Sequence, residues 1–194
     1  FEIPMGEVEA TEIKPKPLAH RVIGLAPDQP RYRILLADDN AASRQLLVKL
    51  LQPLGFELKE AKNGQEAIDI WQMWEPHLIW MDMRMPVLNG YEATQWIKAT
   101  LQGQQTRILA LTASSFEKER AVVLGAGCDD FLRKPFREAD LLEMMERHLG
   151  VRYVYEEAVK EQKEAIRMQF DLQELTSRLA TLPAELLERL ETAA

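Results

Sequence analysis

Polar side chains that could do chemistry together follow four short apolar runs of the sequence. Asp38 and Asp39 come after RILLA, Asp82 after HLIWM, Thr112 after RILAL, and Lys134 shortly after CDDFL. A carboxylate at such a place can act as a nucleophile and form an aspartyl phosphate. Three neighbouring carboxylates repel one another unless a cation lies between them, and Mg²⁺ prefers hard oxygen ligands of this kind. These residues therefore predict a metal-dependent phosphoryl-transfer site.

Each of these side chains has a part in that chemistry. Asp38 and Asp39 would hold the metal, and Asp82 would be the nucleophile. Phosphoryl transfer needs mainly positioning and charge neutralisation. The Lys134 ammonium would therefore neutralise the phosphoryl oxygens on the side away from the metal. The Thr112 hydroxyl would donate a hydrogen bond to one of those oxygens.

The apolar runs have the length of strands and alternate with segments in which apolar residues recur at helical spacing. The strand-like runs are 33–37, 56–61, 77–81, 107–111 and 128–132. Asn40 and Asn63 are placed to cap helices, Ser114 with Glu117 fits a capping box, and Gly150 marks the end of the last helix. The alternation predicts a parallel sheet with helices on both faces. The functional crevice of such a sheet lies at the carboxyl ends of its strands.

Four segments resemble the motifs of response-regulator receiver domains, the phosphoacceptor modules of two-component phosphorelays. In order and spacing, these segments are ILLADDN, IWMDMRMPVLNGYEA, ILALTAS and GAGCDDFLRKPF. The resemblance runs from about Tyr32 to Gly150. It implies an α/β, flavodoxin-like (βα)5 fold, a doubly wound parallel sheet with strand order 2-1-3-4-5. A helical C-terminal extension is expected to follow it.

The resemblance implies a role for each matching residue. Asp82 is similar to the phosphoacceptor, which takes a phosphoryl group from a phosphohistidine. Asp38 and Asp39 are similar to the acidic pair that binds Mg²⁺ together with it. The backbone carbonyl of Arg84 would be a further metal ligand, and Lys134 matches the lysine that accompanies the phosphoacceptor in the family.

The same resemblance implies how the phosphoryl group would be sensed. Thr112 matches the switch hydroxyl, and Phe131 matches the switch aromatic, which is a tyrosine in many members of the family. Because Phe131 has no hydroxyl, we expect packing rather than hydrogen bonding to define the active state. The Lys134–Pro135 peptide bond is expected to be cis, a geometry that X-Pro bonds adopt far more readily than others.

Other function classes fit the sequence less well. A hydrolase of the haloacid dehalogenase type also uses an aspartate at a strand end, but it needs a second aspartate two residues later, where this chain has Arg84. A flavodoxin needs a phosphate-cradling loop rich in Ser, Thr and Gly after its first strand, where this chain has ADDNAAS. A degenerate receiver that acts only as a protein-interaction module would have lost an acidic residue or the lysine, and this chain keeps them.

The composition argues against several classes of partner. The net charge of -7 and the isoelectric point near 5.1 offer no basic surface to a nucleic-acid backbone. A single cysteine, Cys128, rules out an internal disulfide and suits a reducing compartment. No apolar run approaches the roughly 20 residues that span a bilayer. We therefore predict a cytoplasmic location, with no nucleic-acid partner and no direct membrane contact, even if the parent protein is anchored in a membrane.

The sequence divides into three parts. Residues 1–31 are rich in proline and are predicted to be an extended linker. Residues 32–150 form the predicted receiver, and residues 151–194 are predicted to be a helical extension or a linker to a following domain. The opening stretch FEIPMG, Phe1 to Gly6, resembles the last strand of a histidine-kinase ATP-binding domain.

This organisation favours the receiver of a hybrid histidine kinase. The sequence has no histidine box and no glycine-rich ATP motif, so only self-phosphorylation and self-dephosphorylation are expected of the chain itself. The alternative is a stand-alone response regulator with a helical output or dimerisation tail. The expected partner is a phosphohistidine donor, either a kinase or a phosphotransfer domain. A homodimer would form through the face made by the fourth helix, fifth strand and fifth helix, or through the C-terminal helices.

Overall fold

Strands and helices alternate along the chain in the computed structural model, which describes residues 21–113, 117–156 and 167–168. In chain order the strands are β1 (Val22–Leu25), β2 (Arg33–Ala37), β3 (Glu57–Ala61), β4 (Leu78–Asp82), β5 (Arg107–Thr112), β6 (Asp130–Arg133) and β7 (Tyr153–Tyr155). The helices are α1 (Ala41–Leu51), α2 (Gly64–Trp74), α3 (Gly90–Lys98), α4 (Leu101–Gln105), α5 (Glu117–Gly125) and α6 (Glu138–Leu149). A 3₁₀ turn at Gln52–Leu54 follows α1.

Five of these strands form one parallel sheet in the order β3-β2-β4-β5-β6. Counted within the sheet, this is the order 2-1-3-4-5, so the predicted flavodoxin-like fold is confirmed. The central strands end at the same edge, because Ala37 of β2 pairs with Met81 of β4, and Asp82 pairs with Leu111 of β5. The residues that directly follow these strands therefore lie close together at that edge.

Two apolar clusters cover the two faces of the sheet. On the sheet, the first cluster contains Ile34, Leu36, Leu78, Trp80, Leu109 and Leu111. The second contains Leu35, Ala37, Ile79, Met81, Ile108 and Ala110. Helices α1 and α6 pack on the first cluster, and α2, α3 and α5 pack on the second. Successive residues of each strand enter opposite clusters, which explains why these strands read as continuous apolar runs.

Asparagine caps start the helices that follow β2 and β3. The side chains of Asn40 and Asn63 accept hydrogen bonds from backbone N–H groups in the first turns of α1 and α2. Gly150, with a φ of +70°, ends α6. The predicted capping box begins at Ser114, which lies outside the described residues. Within the described parts of the chain, none of the helices combines the length and apolarity needed to cross a bilayer.

A two-stranded antiparallel ribbon departs from the predicted organisation. The sequence predicts a linker over residues 1–31 and a helical extension or a linker from residue 151, but β1 lies in the first segment and β7 in the second, and the two strands pair. Neither prediction holds over these residues. Val22, Leu25 and Tyr153 pack against the first cluster, so burial of apolar and aromatic side chains favours strands here. Residues 1–20, 157–166 and 169–194 lie outside the described parts of the chain.

Side-chain hydrogen bonds join the ribbon to the rest of the domain. Gln29 Nε2 donates to the carbonyl of Arg152 at 2.8 Å, and the Arg152 N–H donates back to Gln29 Oε1 at 2.7 Å. The Tyr153 hydroxyl donates to the carbonyl of Leu142 in α6 at 3.0 Å. The segments before β2 and after α6 are therefore part of the same folded unit as the sheet.

An ionic cluster secures the sheet at the amino ends of β5 and β6. Lys98 Nζ lies 2.7 Å from Asp129 Oδ2, and Arg107 Nη1 lies 2.9 Å from Asp129 Oδ1. The backbone N–H of Ile108 also donates to Asp129, at 2.8 Å. Burial by itself would raise the pKa of Asp129, but the hydrogen bonds from Lys98, Ile108 and Arg107 outweigh it and hold that pKa below its ordinary value.

We predict that Asp129→Asn lowers the free energy of unfolding by about 2 kcal/mol at pH 7, because it leaves the half-buried Lys98 without its counter-charge. A lowered pKa means that the carboxylate stabilises the fold above its ordinary pKa of about 4. That contribution is lost as the pH falls through the lowered value. Urea unfolding followed by circular dichroism should therefore show the gap between wild type and variant closing as the pH falls from 7 toward 3.

Asp69→Asn is the matched control. Asp69 is an exposed carboxylate on α2 that accepts a hydrogen bond from Gln65, and its replacement should change stability by less than about 0.5 kcal/mol. A gap between wild type and Asp129→Asn that stays the same at every pH would contradict the assigned role of the charge.

Candidate metal and phosphoacceptor site

Three carboxylates meet at the carboxyl edge of the sheet. Asp38 and Asp39 directly follow β2, and Asp82 is the last residue of β4. One carboxylate oxygen of each residue lies within 4.8 Å of the others. Asp38 is fully buried, Asp82 is half-buried and Asp39 is exposed. The cluster therefore runs from the protein interior out to solvent.

Lys134 forms ion pairs with two of these carboxylates. Its Nζ lies 2.6 Å from Asp38 Oδ2 and 2.8 Å from Asp82 Oδ2. Its backbone N–H donates to the carbonyl of Thr112 at 2.7 Å, and the Lys134–Pro135 peptide bond is cis. Burial alone would lower the pKa of Lys134, but hydrogen bonds to Asp38 and Asp82 outweigh it, so that pKa lies above its ordinary value. The side chain is therefore a full positive charge at neutral pH.

The charges and donor atoms of this cluster suit a hard divalent cation. Three carboxylates face one ammonium group, which leaves two formal negative charges for a cation to neutralise. The donor atoms are carboxylate oxygens, which Mg²⁺ accepts readily and softer metals do not prefer. The residues present therefore fit Mg²⁺.

The loop after β4 folds back onto Asp82. The N–H of Arg84 donates to Asp82 Oδ1 at 3.1 Å, while the Arg84 side chain is exposed. The N–H of Gly90 donates to the carbonyl of Met83 at 3.2 Å. A Cβ atom on Gly90 would lie 2.2 Å from the carbonyl oxygen of Asp82, so this close approach requires glycine. One oxygen of Asp82 is thus held by the loop and the other by Lys134.

Arg44 contacts the acidic pair, although the sequence motifs do not point to it. It lies on α1 with only 8% of its surface exposed, and its Nη1 donates to the carbonyls of Asp38 at 2.7 Å and Asp39 at 3.3 Å. Helical spacing is the signal in the sequence that could have identified Arg44, because Arg44 shares the buried face of α1 with Leu47 and Leu51. A charged residue on the buried face of a helix requires a polar partner inside the protein.

The two predicted switch residues, Thr112 and Phe131, lie on neighbouring strands. Thr112 ends β5 and is buried. Phe131 on β6 is half-buried and pairs in register with Ala110, two residues before Thr112. Because side chains alternate along a strand, Thr112 and Phe131 project from the same face of the sheet. The guanidinium of Arg120 on α5 lies 5.9 Å from the centre of the Phe131 ring.

The response regulator receiver domain family matches residues 34–146 of the chain. The chain belongs to this family. The predicted function is confirmed at this level, because residues 34–146 are a receiver domain of a two-component phosphorelay.

Similar proteins include response regulators and receivers of histidine kinases. Response regulator MprA of Mycolicibacterium vanbaalenii is 38% identical over 113 residues, which are 58% of this chain and 48% of MprA. The chain thus spans about half the length of that relative. The receiver domain of sensor histidine kinase PA1611 from Pseudomonas aeruginosa PAO1 is 35% identical with a TM-score of 0.59, and the match covers 62% of this chain and 99% of that one.

Two of the similar structures contain a metal ion or a partner protein. The PA1611 receiver holds a magnesium ion coordinated in its active site cleft, and the acidic cluster of the present receiver is compatible with such an ion. The receiver of Ssk1 from Saccharomyces cerevisiae was crystallised with the histidine phosphotransfer protein Ypd1. It is 32% identical with a TM-score of 0.58, and the match covers 61% of this chain and 89% of that one.

The loop beside Asp82 of this receiver contains a strained residue. Val87 has a φ of +67°, and the N–H of Leu88 donates to the carbonyl of Pro86 at 2.8 Å, so these three residues form a γ-turn. A positive φ is unfavourable for a β-branched residue, and a γ-turn of this hand is rare and strained. The Val87 side chain is 84% exposed, so packing does little to offset the strain.

We predict that Val87→Gly raises the free energy of unfolding by about 1 kcal/mol, because glycine adopts positive φ without a steric penalty. Urea unfolding measures the change. Val87→Ala is the control, since it removes the branched side chain but keeps the Cβ atom that causes the strain, and it should gain less. A Val87→Gly protein no more stable than Val87→Ala would show that the turn is not strained.

Proposed function

We propose that Asp82 accepts a phosphoryl group from a phosphohistidine in a reaction that requires Mg²⁺. The position of Asp82 is the observation that carries this proposal. Its carboxylate ends a central strand, lies within 4.8 Å of oxygens of Asp38 and Asp39, and pairs with Lys134 at 2.8 Å. A nucleophile, two metal ligands and a cation are the groups that phosphoryl transfer to a carboxylate requires.

In the proposed reaction, an oxygen of Asp82 attacks the phosphorus atom of the phosphohistidine. The phosphorus–nitrogen bond breaks, and the imidazole leaves with its electron pair and takes up a proton from solvent. Asp38, Asp39, Asp82 and the backbone carbonyl of Arg84 would hold Mg²⁺, which would supply positive charge to neutralise the phosphoryl oxygens. Lys134 pairs with both Asp38 and Asp82. After the transfer, the Lys134 ammonium can pair with a phosphoryl oxygen in place of the Asp82 carboxylate. Its ion pair with Asp38 keeps the ammonium at the site during this change.

We predict that the wild-type protein incubated with acetyl phosphate and Mg²⁺ gains one phosphoryl group, and that Asp82→Asn gains none. Intact-protein mass spectrometry measures the gain, and hydroxylamine should remove it, since the product is an acyl phosphate. EDTA should reduce labelling to background, because the carboxylates then lack the cation that neutralises the phosphoryl charge.

Asp69→Asn, which removes an exposed carboxylate from α2, should be labelled like the wild type. A phosphotransfer protein that carries phosphohistidine should label the same residue as acetyl phosphate does. Wild-type labelling of Asp82→Asn would disprove the phosphoacceptor assignment. Unchanged labelling in EDTA would disprove the metal requirement alone.

The phosphoryl group on Asp82 is proposed to change the face formed by α5, β6 and α6. These are the fourth helix, fifth strand and fifth helix of the sequence prediction, because the short helix α4 and the strand β1 each add one to the numbering. The phosphoryl group adds close to two negative charges and three strong acceptors, to which the Thr112 hydroxyl can donate. Movement of Thr112 would leave space on its face of the sheet, and the half-buried Phe131 on the same face would turn into it. Phosphorylation would shift the receiver from one state of this face to another. The size of that shift is limited by how much better the phosphoryl group contacts one state than the other.

This α5–β6–α6 face is also the proposed contact surface for a second copy of the receiver. Val122 and Leu124 on α5 expose 56% and 39% of their surfaces, which gives the face an apolar component suited to a protein partner. The alternative contact through C-terminal helices involves residues that lie mostly outside the described parts of the chain.

We predict that beryllofluoride, a mimic of the bound phosphoryl group, changes amide hydrogen exchange in peptides from residues 117–140. Thr112→Ala and Phe131→Ala should each lose most of that change, while peptides around Asp82 still respond in both variants. Sedimentation velocity on the same samples would report dimer formation. If only the loops around Asp82 respond in the wild type, then no route from Asp82 to the α5–β6–α6 face exists.

We place this receiver in a hybrid histidine kinase, with a stand-alone response regulator as the second candidate. Similarity to the receiver of the sensor histidine kinase PA1611 supports the first, and similarity to MprA supports the second. Sequencing the gene on both sides of the segment for residues 1–194 distinguishes them. A histidine box and an ATP-binding domain encoded in the same reading frame would establish the kinase.

A further inference from the structure

We propose that Arg44 is a positioning residue for the metal site, and that it acts by holding the backbone carbonyls of Asp38 and Asp39. This inference rests on the proposed function, because it assigns a role in Mg²⁺ binding. Two contacts with the carbonyls support it, and a third contact pairs the charge of Arg44. Nη1 donates to the carbonyls of Asp38 and Asp39 at 2.7 Å and 3.3 Å, and Nε donates to Glu60 Oε2 at 3.0 Å.

These contacts join three separate segments of the receiver. Arg44 belongs to α1, the two carbonyls belong to the turn between β2 and α1, and Glu60 lies on β3. The turn is also fixed by the N–H of Asn40, which donates to Asp38 Oδ1 at 2.8 Å. The carboxylate of Asp38 and the carbonyls of the acidic pair are therefore held by different groups.

The guanidinium suits this task better than another cation would. It is planar and carries several N–H donors in fixed directions, so one group can serve two carbonyls and a carboxylate at once. A lysine ammonium would keep the charge but could not reproduce this geometry. Glu60 balances the charge of Arg44 at 3.0 Å, so the arginine can lie close to the metal site with its charge already paired.

Fixing the carbonyls matters because Asp38 and Asp39 repel each other. A turn without this support can relieve the repulsion by rotating one carboxylate away from the cluster, which would separate the two metal ligands. Groups that hold metal ligands in place commonly change metal affinity between tenfold and a hundredfold when they are removed. We expect an effect of that size for Arg44.

The test compares Mg²⁺ binding by isothermal titration calorimetry in the wild type, Arg44→Lys and Glu60→Gln. Arg44→Lys should weaken Mg²⁺ binding at least about tenfold. Glu60→Gln leaves the two carbonyl contacts in place and should bind within about threefold of the wild type, in keeping with the small effect expected for an exposed charge partner. Urea unfolding of each variant reports whether the protein remains folded under the titration conditions.

A second measurement needs no variant. In wild-type protein labelled with ¹⁵N, the Arg44 Nη resonances should shift when Mg²⁺ is added, because the carbonyls that Nη1 contacts belong to the turn that carries Asp38 and Asp39. Arg107, whose guanidinium pairs with Asp129 at the opposite edge of the sheet, should not respond. This comparison decides the question even if Arg44→Lys fails to fold.

Wild-type affinity in Arg44→Lys would overturn the inference, and so would an Arg44 side chain whose resonances ignore Mg²⁺. Equal weakening in Arg44→Lys and Glu60→Gln would also overturn it, since the ion pair rather than the carbonyl contacts would then govern the site. Absence of Mg²⁺ binding in the wild type would instead disprove the proposed metal requirement. The failure of the inference is thus distinguishable from the failure of the proposed function.

Discussion

Repulsion among Asp38, Asp39 and Asp82 is the constraint around which the receiver is built. Carboxylates with oxygens within 4.8 Å of one another remain charged together only if positive groups or hydrogen-bond donors surround them. The structure supplies these from several directions. Lys134 pairs with Asp38 and Asp82, the N–H of Asn40 donates to Asp38, and the N–H of Arg84 donates to Asp82. The same arrangement leaves a net negative charge that a divalent cation can neutralise.

Burial of apolar side chains on both faces of the parallel sheet offsets the cost of concentrating these charges at one edge. The two clusters meet at the sheet and hold the central strands in one register, so their last residues reach the same edge. The loop after β4 lies at that edge. It contains the close approach of Gly90 to the carbonyl of Asp82 and the positive φ of Val87.

The opposite edge of the sheet is organised for stability. There the ionic cluster of Lys98, Arg107 and Asp129 joins the end of α3 to the starts of β5 and β6. The ribbon of β1 and β7 contributes further to the first cluster through Val22, Leu25 and Tyr153. Charge repulsion is thus concentrated at one edge, and ion pairs and apolar contacts stabilise the opposite edge and the ribbon.

The sequence by itself determined the strands of the sheet and the positions of Asp38, Asp39, Asp82, Thr112 and Lys134 at or just after strand ends, while the strand order came from the resemblance to receiver domains. Local patterns determine the strands and helices, because side-chain periodicity and caps such as Asn40 depend on residues a few positions away. The convergence of Lys134 with Asp38, 96 residues apart, follows from the rule that parallel strands end at one edge.

The tertiary structure alone decided the contacts that have no local signature. The ribbon brings Gln29 to Arg152, 123 residues away, in segments predicted to be a linker and a helix. Arg44 reaches the carbonyls of the acidic pair and Glu60 on another strand, although its sequence position marks only the buried face of a helix. Both depend on which surfaces the fold brings together to bury apolar area and to satisfy polar groups, and a local pattern does not contain that information.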